Sequence, residues 1–172
     1  DKVESINPAT DSTYLLALEA QKRGFEIFYY TPLDLYLDGN QLLSKISKIT
    51  FYNDVKNYYE LGPSKIENLV DFDSIFIRQD PPFDMRYITN TFLLSKIQNK
   101  VKIINNPESI RNYSEKIYAH DFAEYMPNTI ISENLEILEE AYNRFGDVVI
   151  KPLYAFGGMD VTLIKKHDSA FR

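Results

Sequence analysis

Short apolar runs alternate with amphipathic stretches along the first two thirds of this chain. The apolar runs predict strands at residues 25–30, 46–52, 75–77 and 101–104. The amphipathic stretches predict helices at residues 14–23, at residues 85–98 and in a short segment that begins at residue 107. Because strands and helices that alternate are joined by right-handed crossovers, we predict an α/β fold with a doubly wound, mostly parallel sheet.

Polar residues and glycine at the ends of these segments support the predicted boundaries. Asp11-Ser12-Thr13 offers capping oxygens before the first helix, Gly24 can end it, and Asp84 can cap the helix that follows. Asp38-Gly39-Asn40 is a turn signal, so the segments around it are predicted to form a hairpin.

A second unit is predicted to begin near Ser114, which divides the chain into domains at residues 1–113 and 114–172. In the second domain the pattern predicts helices at residues 116–123 and 133–145, capped by Ser114 and Ser132. Strands are predicted at residues 129–131, 147–151 and 159–164.

Composition narrows the class of protein. The chain has 172 residues and a net charge of −6, which argues against nucleic acid as the main partner. It has no cysteine and no apolar run of membrane-spanning length, so we expect a cytoplasmic protein without disulfides, thiolate metal sites or a membrane partner. His120 and His167 are far apart in the sequence and are interpreted as surface residues rather than metal ligands.

The segment Arg78-Gln79-Asp80-Pro81-Pro82-Phe83-Asp84 follows a strand that the pattern predicts to be buried on both faces. Ligands of open α/β sheets bind just beyond the carboxyl ends of the strands. A guanidinium at that position is suited to a carboxylate or phosphate, which it can bind with two parallel hydrogen bonds. The alternative is a structural salt bridge from Arg78 to Asp80 or Asp84.

The second domain offers cations and glycines of the kind that bind phosphate. Lys151 ends an apolar strand, Gly157-Gly158 follows in the next loop, and Lys116 lies on a helix. Together they could hold the phosphates of a nucleotide. Each also has a simpler interpretation, because paired glycines commonly form a hairpin turn and a lone helical lysine is commonly solvated.

Several segments, in this order, resemble the prokaryotic glutathione synthetases of the ATP-grasp ligase superfamily. The resemblance begins with Glu4-Ser5-Ile6-Asn7, Asp11-Ser12-Thr13 and the run from Leu18 to Gly24. It continues with the Arg78 segment, Asn105-Asn106-Pro107, Glu115-Lys116 and Ile150-Lys151-Pro152-Leu153. The Arg78 segment is the most specific of these, and the match extends through nearly the whole chain.

The resemblance implies an enzyme that joins γ-glutamylcysteine and glycine, using ATP and Mg²⁺, through an acyl phosphate. It implies a substrate domain followed by the first part of an ATP-grasp α+β domain. Lys116 and Lys151 correspond to lysines that hold the ATP phosphates, and Gly157 and Gly158 to the glycine turn of the nucleotide cleft. Arg78 corresponds to a residue that binds γ-glutamylcysteine, and Ser12 is a further substrate-side candidate.

The chain also departs from the family pattern. Ala155 stands where the family usually has glycine, Phe156 is bulkier than expected, and Lys2 replaces a proline. The strand that opens the family's first sheet is not found, and the family continues well past Arg172. We therefore expect an amino-terminal fragment that is inactive alone. The Mg²⁺ ligands are expected beyond Arg172, and the sequence does not indicate which residues are catalytic.

Two other hypotheses stay open at this point. The chain could belong to another ATP-grasp ligase acting on other amino acids or peptides, or to a non-catalytic binding module that keeps the fold. The resemblance also implies a homo-oligomer, whose interface could lie between Leu33 and Leu61, the segment where the pattern of elements is weakest.

Overall fold

The computed structural model describes residues 2–166, and His167 lies outside them. The chain divides into two compact units, with the boundary between residues 112 and 113. Across residues 2–166, no helix has the length and apolar character needed to cross a membrane.

The first unit contains six strands and three α-helices among its described residues. The strands are β1 (Ile27–Tyr29), β2 (Leu35–Asp38), β3 (Gln41–Phe51), β4 (Tyr59–Asn68), β5 (Ser74–Phe76) and β6 (Lys102–Ile104). The helices are α1 (Ser12–Lys22), α2 (Met85–Ser95) and α3 (Pro107–Asn112), with 3₁₀ turns at Val3–Ser5, Pro32–Asp34 and Leu69–Asp71.

The long strand β3 is the centre of a four-stranded antiparallel sheet. Along one side, β2 pairs with its first residues and β1 pairs with Ser47, Lys48 and Ile49. Strand β4 pairs along the other side, with an irregularity between Ser47 and Ile49 that changes the register. This irregularity explains why Ile46 and Ile49, three residues apart, are both buried on a strand whose side chains otherwise alternate.

The predicted mostly parallel sheet is not confirmed. Strands β5 and β6 are parallel, but the larger sheet around β3 is antiparallel throughout. The physical reason is the length of the connections. Only residues 39 and 40 join β2 to β3, and a connection so short permits only an antiparallel pair. Residues 77–101, which include α2, are long enough for the crossover between β5 and β6.

The hairpin predicted around Gly39 is confirmed, since Asp38 pairs with Gln41 across the turn. Gly39 has a φ of +56°, a conformation that glycine adopts without steric cost. The strand predicted at residues 46–52 is the second half of β3, so the sequence pattern identified only part of this strand.

Two hydrophobic clusters hold the first unit together. One joins β3, β5 and α2 through Leu42, Leu69, Ile75 and Leu94, with Ile97 and Val101 completing it. The other joins α1 and the far end of β3 through Val3, Tyr14, Ile49 and Phe51. Burial of these side chains fixes the two helices against the sheet.

The predicted helix caps are confirmed at two positions. The Asp11 carboxylate accepts the N–H groups of Thr13 and Tyr14 at 2.7 and 3.2 Å, and α1 begins at Ser12. The Asp84 carboxylate accepts the N–H groups of Arg86 and Tyr87, and α2 begins at Met85. Each cap satisfies donors that have no partner within the helix.

The second unit contains α4 (Glu115–Tyr118), a 3₁₀ segment (Ala119–Tyr125), α5 (Leu135–Phe145), β7 (Val148–Ile150) and β8 (Thr162–Ile164). Strands β7 and β8 are antiparallel. The strand predicted at residues 129–131 is wrong, because these residues lie outside regular structure. Asn134 rather than Ser132 caps α5, and Gly146 follows its last residue with a φ of +82°.

Candidate functional site

Arg78 lies just past the carboxyl end of β5, as predicted from the sequence. The N–H of Ile77 donates to the carbonyl of Ile104, which continues the pairing of β5 with β6 up to the residue before Arg78. The loop that follows contains a cis peptide bond between Pro81 and Pro82 and ends at Asp84.

The Arg78 guanidinium binds two hydroxyl groups at the start of α1. Its Nη2 donates to Ser12 Oγ at 2.7 Å, and its Nε donates to Thr13 Oγ1 at 3.0 Å. The structure therefore brings together Arg78 and Ser12, which are both predicted site residues. It adds Thr13, which the sequence indicated only as a capping oxygen.

Local interactions hold both sides of this contact in place. The Asp11 cap fixes the first turn of α1, and with it the backbone of Thr13. On the other side, Tyr87 Oη donates to the carbonyl of Gln79 at 3.3 Å and Asn90 Nδ2 donates to its side-chain oxygen at 3.4 Å. The residue after Arg78 is thus tied to helix α2.

The alternative of a salt bridge between Arg78 and Asp84 is not observed, because the Asp84 carboxylate caps helix α2 instead. Asp84 Oδ1 accepts the N–H groups of Arg86 and Tyr87 as the cap of α2. Burial raises the pKa of the nearby Tyr87 hydroxyl, the negative charge of Asp80 raises it further, and the positive charge of Arg78 opposes both. Tyr87 is therefore a neutral hydrogen-bond donor at this site.

In the second unit, Lys116 is bound to the loop that follows β7. Its Nζ donates to the carbonyls of Ala155 at 2.7 Å and Leu153 at 3.2 Å, and it forms an ion pair of 2.9 Å with the carboxylate of Glu115. An ammonium has three hydrogens, so these partners account for all of them. The interpretation of Lys116 as a freely solvated helix residue is wrong.

Lys151 and the two glycines lie in the same loop, between β7 and β8. Lys151 directly follows β7 and is exposed, as are Gly157 and Gly158. The glycines have φ angles of +59° and +79°, which side chains rarely permit, and a Cβ at either would meet open space. Their N–H groups therefore lie on an accessible turn. This turn belongs to a loop of residues 151–161, which is longer than a tight hairpin connection.

Ala155 fits its place in this loop. Among residues 2–166, Asp160 is the one non-glycine residue with a positive φ, so Ala155 keeps a backbone conformation open to any L-residue. Its carbonyl is the shortest contact of the Lys116 ammonium. Replacement of the family's usual glycine by alanine therefore puts no strain on the chain at this position.

No cluster of metal-binding side chains is found among the described residues. Within residues 2–166, no group of three or more histidine, cysteine, aspartate or glutamate side chains is arranged to hold a metal ion. Three carboxylates close in sequence to the candidate residues have partners of their own, since Asp11 and Asp84 cap helices and Glu115 pairs with Lys116.

Comparison with known proteins identifies the class to which this fold and these residues belong. Residues 115–172 match the family described as prokaryotic glutathione synthetase, ATP-grasp domain. Residues 1–111 match prokaryotic glutathione synthetase, N-terminal domain. The chain therefore belongs to the prokaryotic glutathione synthetase family.

Curated relatives agree with this assignment. The chain is 40 % identical over 171 residues to a glutathione synthetase of Bradyrhizobium diazoefficiens, covering 99 % of this chain and 54 % of that protein. It is 39 % identical over 161 residues to that of Brucella melitensis, covering 94 % and 52 %. With the Vibrio parahaemolyticus protein it shares 34 % identity over 169 residues, covering 98 % and 54 %. The chain spans about half the length of the curated relatives it matches.

Proposed function

We propose that this chain is part of an ATP-dependent ligase that joins γ-glutamylcysteine and glycine to form glutathione. Family membership supports this proposal, together with a guanidinium fixed at the carboxyl end of a parallel strand. We assign substrate binding to residues 1–113 and the first part of nucleotide binding to residues 114–172. A cytoplasmic location and a homo-oligomeric state stay predictions from the sequence.

The proposed reaction has two steps. The cysteinyl carboxylate attacks the γ-phosphorus of ATP, which forms an acyl phosphate and releases ADP. The glycine amine then attacks the acyl carbon, the carbon–oxygen bond to phosphate breaks, and inorganic phosphate leaves as the amine loses a proton. A free carboxylate is a poor electrophile, so the first step supplies the leaving group that the second step needs.

Both substrates of the first step are anions, so cationic groups must neutralise the repulsion between them. On the dipeptide side this role falls to Arg78. Its Nε and Nη2 each donate to a hydroxyl of α1, and a guanidinium carries five N–H donors in a fixed plane. The donors not used by Ser12 and Thr13 are those that we assign to a substrate carboxylate.

On the nucleotide side we assign the phosphates to Lys116, Lys151, Gly157 and Gly158. Lys151 is exposed, so its ammonium can reach an anion in solvent. Lys116 must exchange at least one of its contacts with Leu153, Ala155 or Glu115 for a phosphate oxygen. A charged acceptor stabilises an ammonium more strongly than a neutral carbonyl does. ATP is used with Mg²⁺ in this proposal.

The test is the Arg78→Ala variant of the intact protein, with binding measured by titration calorimetry. Loss of charge-assisted hydrogen bonds is expected to weaken γ-glutamylcysteine binding by about ten- to a hundredfold. ATP binding is expected to change much less. Arg86→Ala is a matched control, because Arg86 is an exposed arginine at the start of α2. Equal loss of both ligands, or no loss, removes Arg78 from substrate binding.

A further inference from the structure

Thr13 is the less exposed of the two hydroxyl residues that accept hydrogen bonds from Arg78. Its Oγ1 accepts the Nε–H of Arg78 at 3.0 Å, and the residue is half-buried, whereas Ser12 is exposed. Thr13 is β-branched and lies in the first turn of α1, where few side-chain rotamers are open to it. Its backbone N–H is bound to the Asp11 cap at 2.7 Å. The oxygen that receives Nε–H is therefore fixed by the helix as well as by the side chain.

The two contacts fall on one edge of the guanidinium. In a planar guanidinium, Nε–H and one N–H of Nη2 leave the group side by side, and here they meet Thr13 and Ser12. Within residues 2–166, these two hydroxyls are the hydrogen-bond partners of the group. Two N–H groups on Nη1 and one on Nη2 remain, and they include the pair at the far end of the side chain.

We propose that Thr13, with Ser12, positions Arg78 so that a substrate carboxylate is bound end-on, by Nη1 and Nη2. This inference rests on the proposed function for the identity of the ligand. Thr13 itself touches no substrate in this arrangement. It acts by fixing the plane and rotation of the guanidinium before the ligand arrives, which lowers the entropy lost on binding.

The geometry also separates the roles of two neighbouring hydroxyls. Ser12 Oγ is bound to Nη2, the nitrogen that also supplies one end-on donor, so its loss affects both positioning and the donor itself. Thr13 Oγ1 is bound to Nε, which takes no part in end-on binding. Loss of the Thr13 oxygen therefore isolates the positioning effect.

The experiment compares Thr13→Val, which removes the oxygen and keeps the shape, with Thr13→Ser, which keeps the oxygen. Thr89→Val is the control, because the Thr89 hydroxyl is exposed on α2 and donates to the carbonyl of Met85. All variants are made in the full chain. The first readout is the hydrogen-exchange rate of the Arg78 Nε–H in the ligand-free protein, followed by NMR and assigned with Arg78→Lys.

Loss of one hydrogen bond is expected to speed this exchange by about three- to tenfold in Thr13→Val. Thr13→Ser and Thr89→Val are expected to exchange like the parent. The second readout is affinity for γ-glutamylcysteine, which we expect to fall by a similar factor in Thr13→Val and to be restored in Thr13→Ser. Combined with Arg78→Lys, Thr13→Val is expected to cause no further loss.

Unchanged Nε–H exchange in Thr13→Val overturns the proposal, and so does faster exchange with unchanged affinity, since Thr13 then serves only the fold. If the parent protein itself does not bind γ-glutamylcysteine, the proposed function fails. The end-on assignment to that ligand falls with it, while the exchange rates still decide whether Thr13 fixes the guanidinium.

Discussion

Lys116 and Ala155 are joined by a hydrogen bond of 2.7 Å from the ammonium to the backbone carbonyl, across 39 positions of sequence. This contact ties helix α4 to the loop that carries the paired glycines. Lys116, which we assign to phosphate binding, therefore also holds in place the loop that carries the glycines assigned to the same phosphates.

We expect Lys116→Met to loosen this loop. Loss of the ammonium leaves the carbonyls of Leu153 and Ala155 without this donor, so amide exchange across residues 153–158 is expected to rise by about three- to tenfold. Hydrogen-exchange mass spectrometry measures the effect.

Lys151→Met is the matched comparison, because Lys151 is exposed at the start of the same loop. Under the proposed function both variants weaken ATP binding, but only Lys116→Met is expected to change exchange in the ligand-free protein. Equal exchange in the two variants contradicts the role given to Lys116.

A buried serine in β3 provides a test of packing. Ser44 is fully buried, and its Oγ has no hydrogen-bond partner among residues 2–166. Ser44→Ala removes a polar atom whose burial is unfavourable, so stability is expected to stay the same or to increase by up to about 1 kcal/mol. Urea unfolding measures the change.

The same substitution at Ser95 is expected to have the opposite sign. Ser95 Oγ donates to the carbonyl of Thr91 at 2.9 Å and accepts from Arg111 Nη1 at 2.8 Å. Ser95→Ala is expected to cost about 1–2 kcal/mol. A larger loss at Ser44 than at Ser95 shows that the Ser44 hydroxyl has a stabilising role that its contacts do not explain.

The cap of α2 is expected to contribute measurably to stability. Asp84 Oδ1 accepts two backbone N–H groups, at 3.0 and 2.9 Å. Asp84→Ala is expected to lower the free energy of unfolding by about 0.5–2 kcal/mol. Asp84→Asn keeps an acceptor oxygen and is expected to retain most of the stability that the cap contributes. A full loss in Asp84→Asn assigns the effect to charge instead of capping.

Tyrosine burial predicts how stability depends on alkaline pH. Tyr30 packs against the cluster around Leu42, and burial raises the pKa of its hydroxyl above the ordinary value. In the unfolded chain a tyrosine hydroxyl has a pKa of about 10. Above that pH, Tyr30 is deprotonated in the unfolded state while it stays protonated in the folded state. Below that pH the ionisation of Tyr30 does not affect the free energy of unfolding, and above it the free energy of unfolding is expected to fall as the pH rises.

Tyr30→Phe is expected to remove part of this alkaline loss, measured as denaturant midpoints between pH 9 and 11. Burial also raises the pKa of Tyr29 and Tyr87, so some loss is expected to persist. Tyr125→Phe controls for removal of a surface hydroxyl, since Tyr125 is 80 % exposed. An unchanged slope in Tyr30→Phe means that this hydroxyl does not carry the effect.

Local signals predicted the helices of the first unit well. Asp11 and Asp84 cap helices because their side chains bind N–H groups two or three residues away, and such short spacings are visible in a sequence. The direction of the strands is a different matter. It depends on which segments pair along the sheet. The first half of β3 was missed because a polar residue, Ser44, lies on its buried face, so polar and apolar residues do not alternate there.

The candidate site was predictable as a set of residue types and not as a set of contacts. Arg78 and Ser12 lie 66 positions apart, and no pattern along the chain indicates that they share a hydrogen bond. The partners of Lys116 are backbone carbonyls, which every residue possesses, so no residue type at positions 153 and 155 indicates that contact.

Strand β3 contributes Leu42 to one hydrophobic cluster and Ile49 with Phe51 to the other. Neither cluster can open completely without disturbing the strand that the other depends on. We therefore expect the two clusters to unfold together, as one cooperative unit, because both depend on β3. A substitution that loosens the cluster around α1 is expected to weaken the packing of α2 as well, because β3 contributes side chains to both clusters.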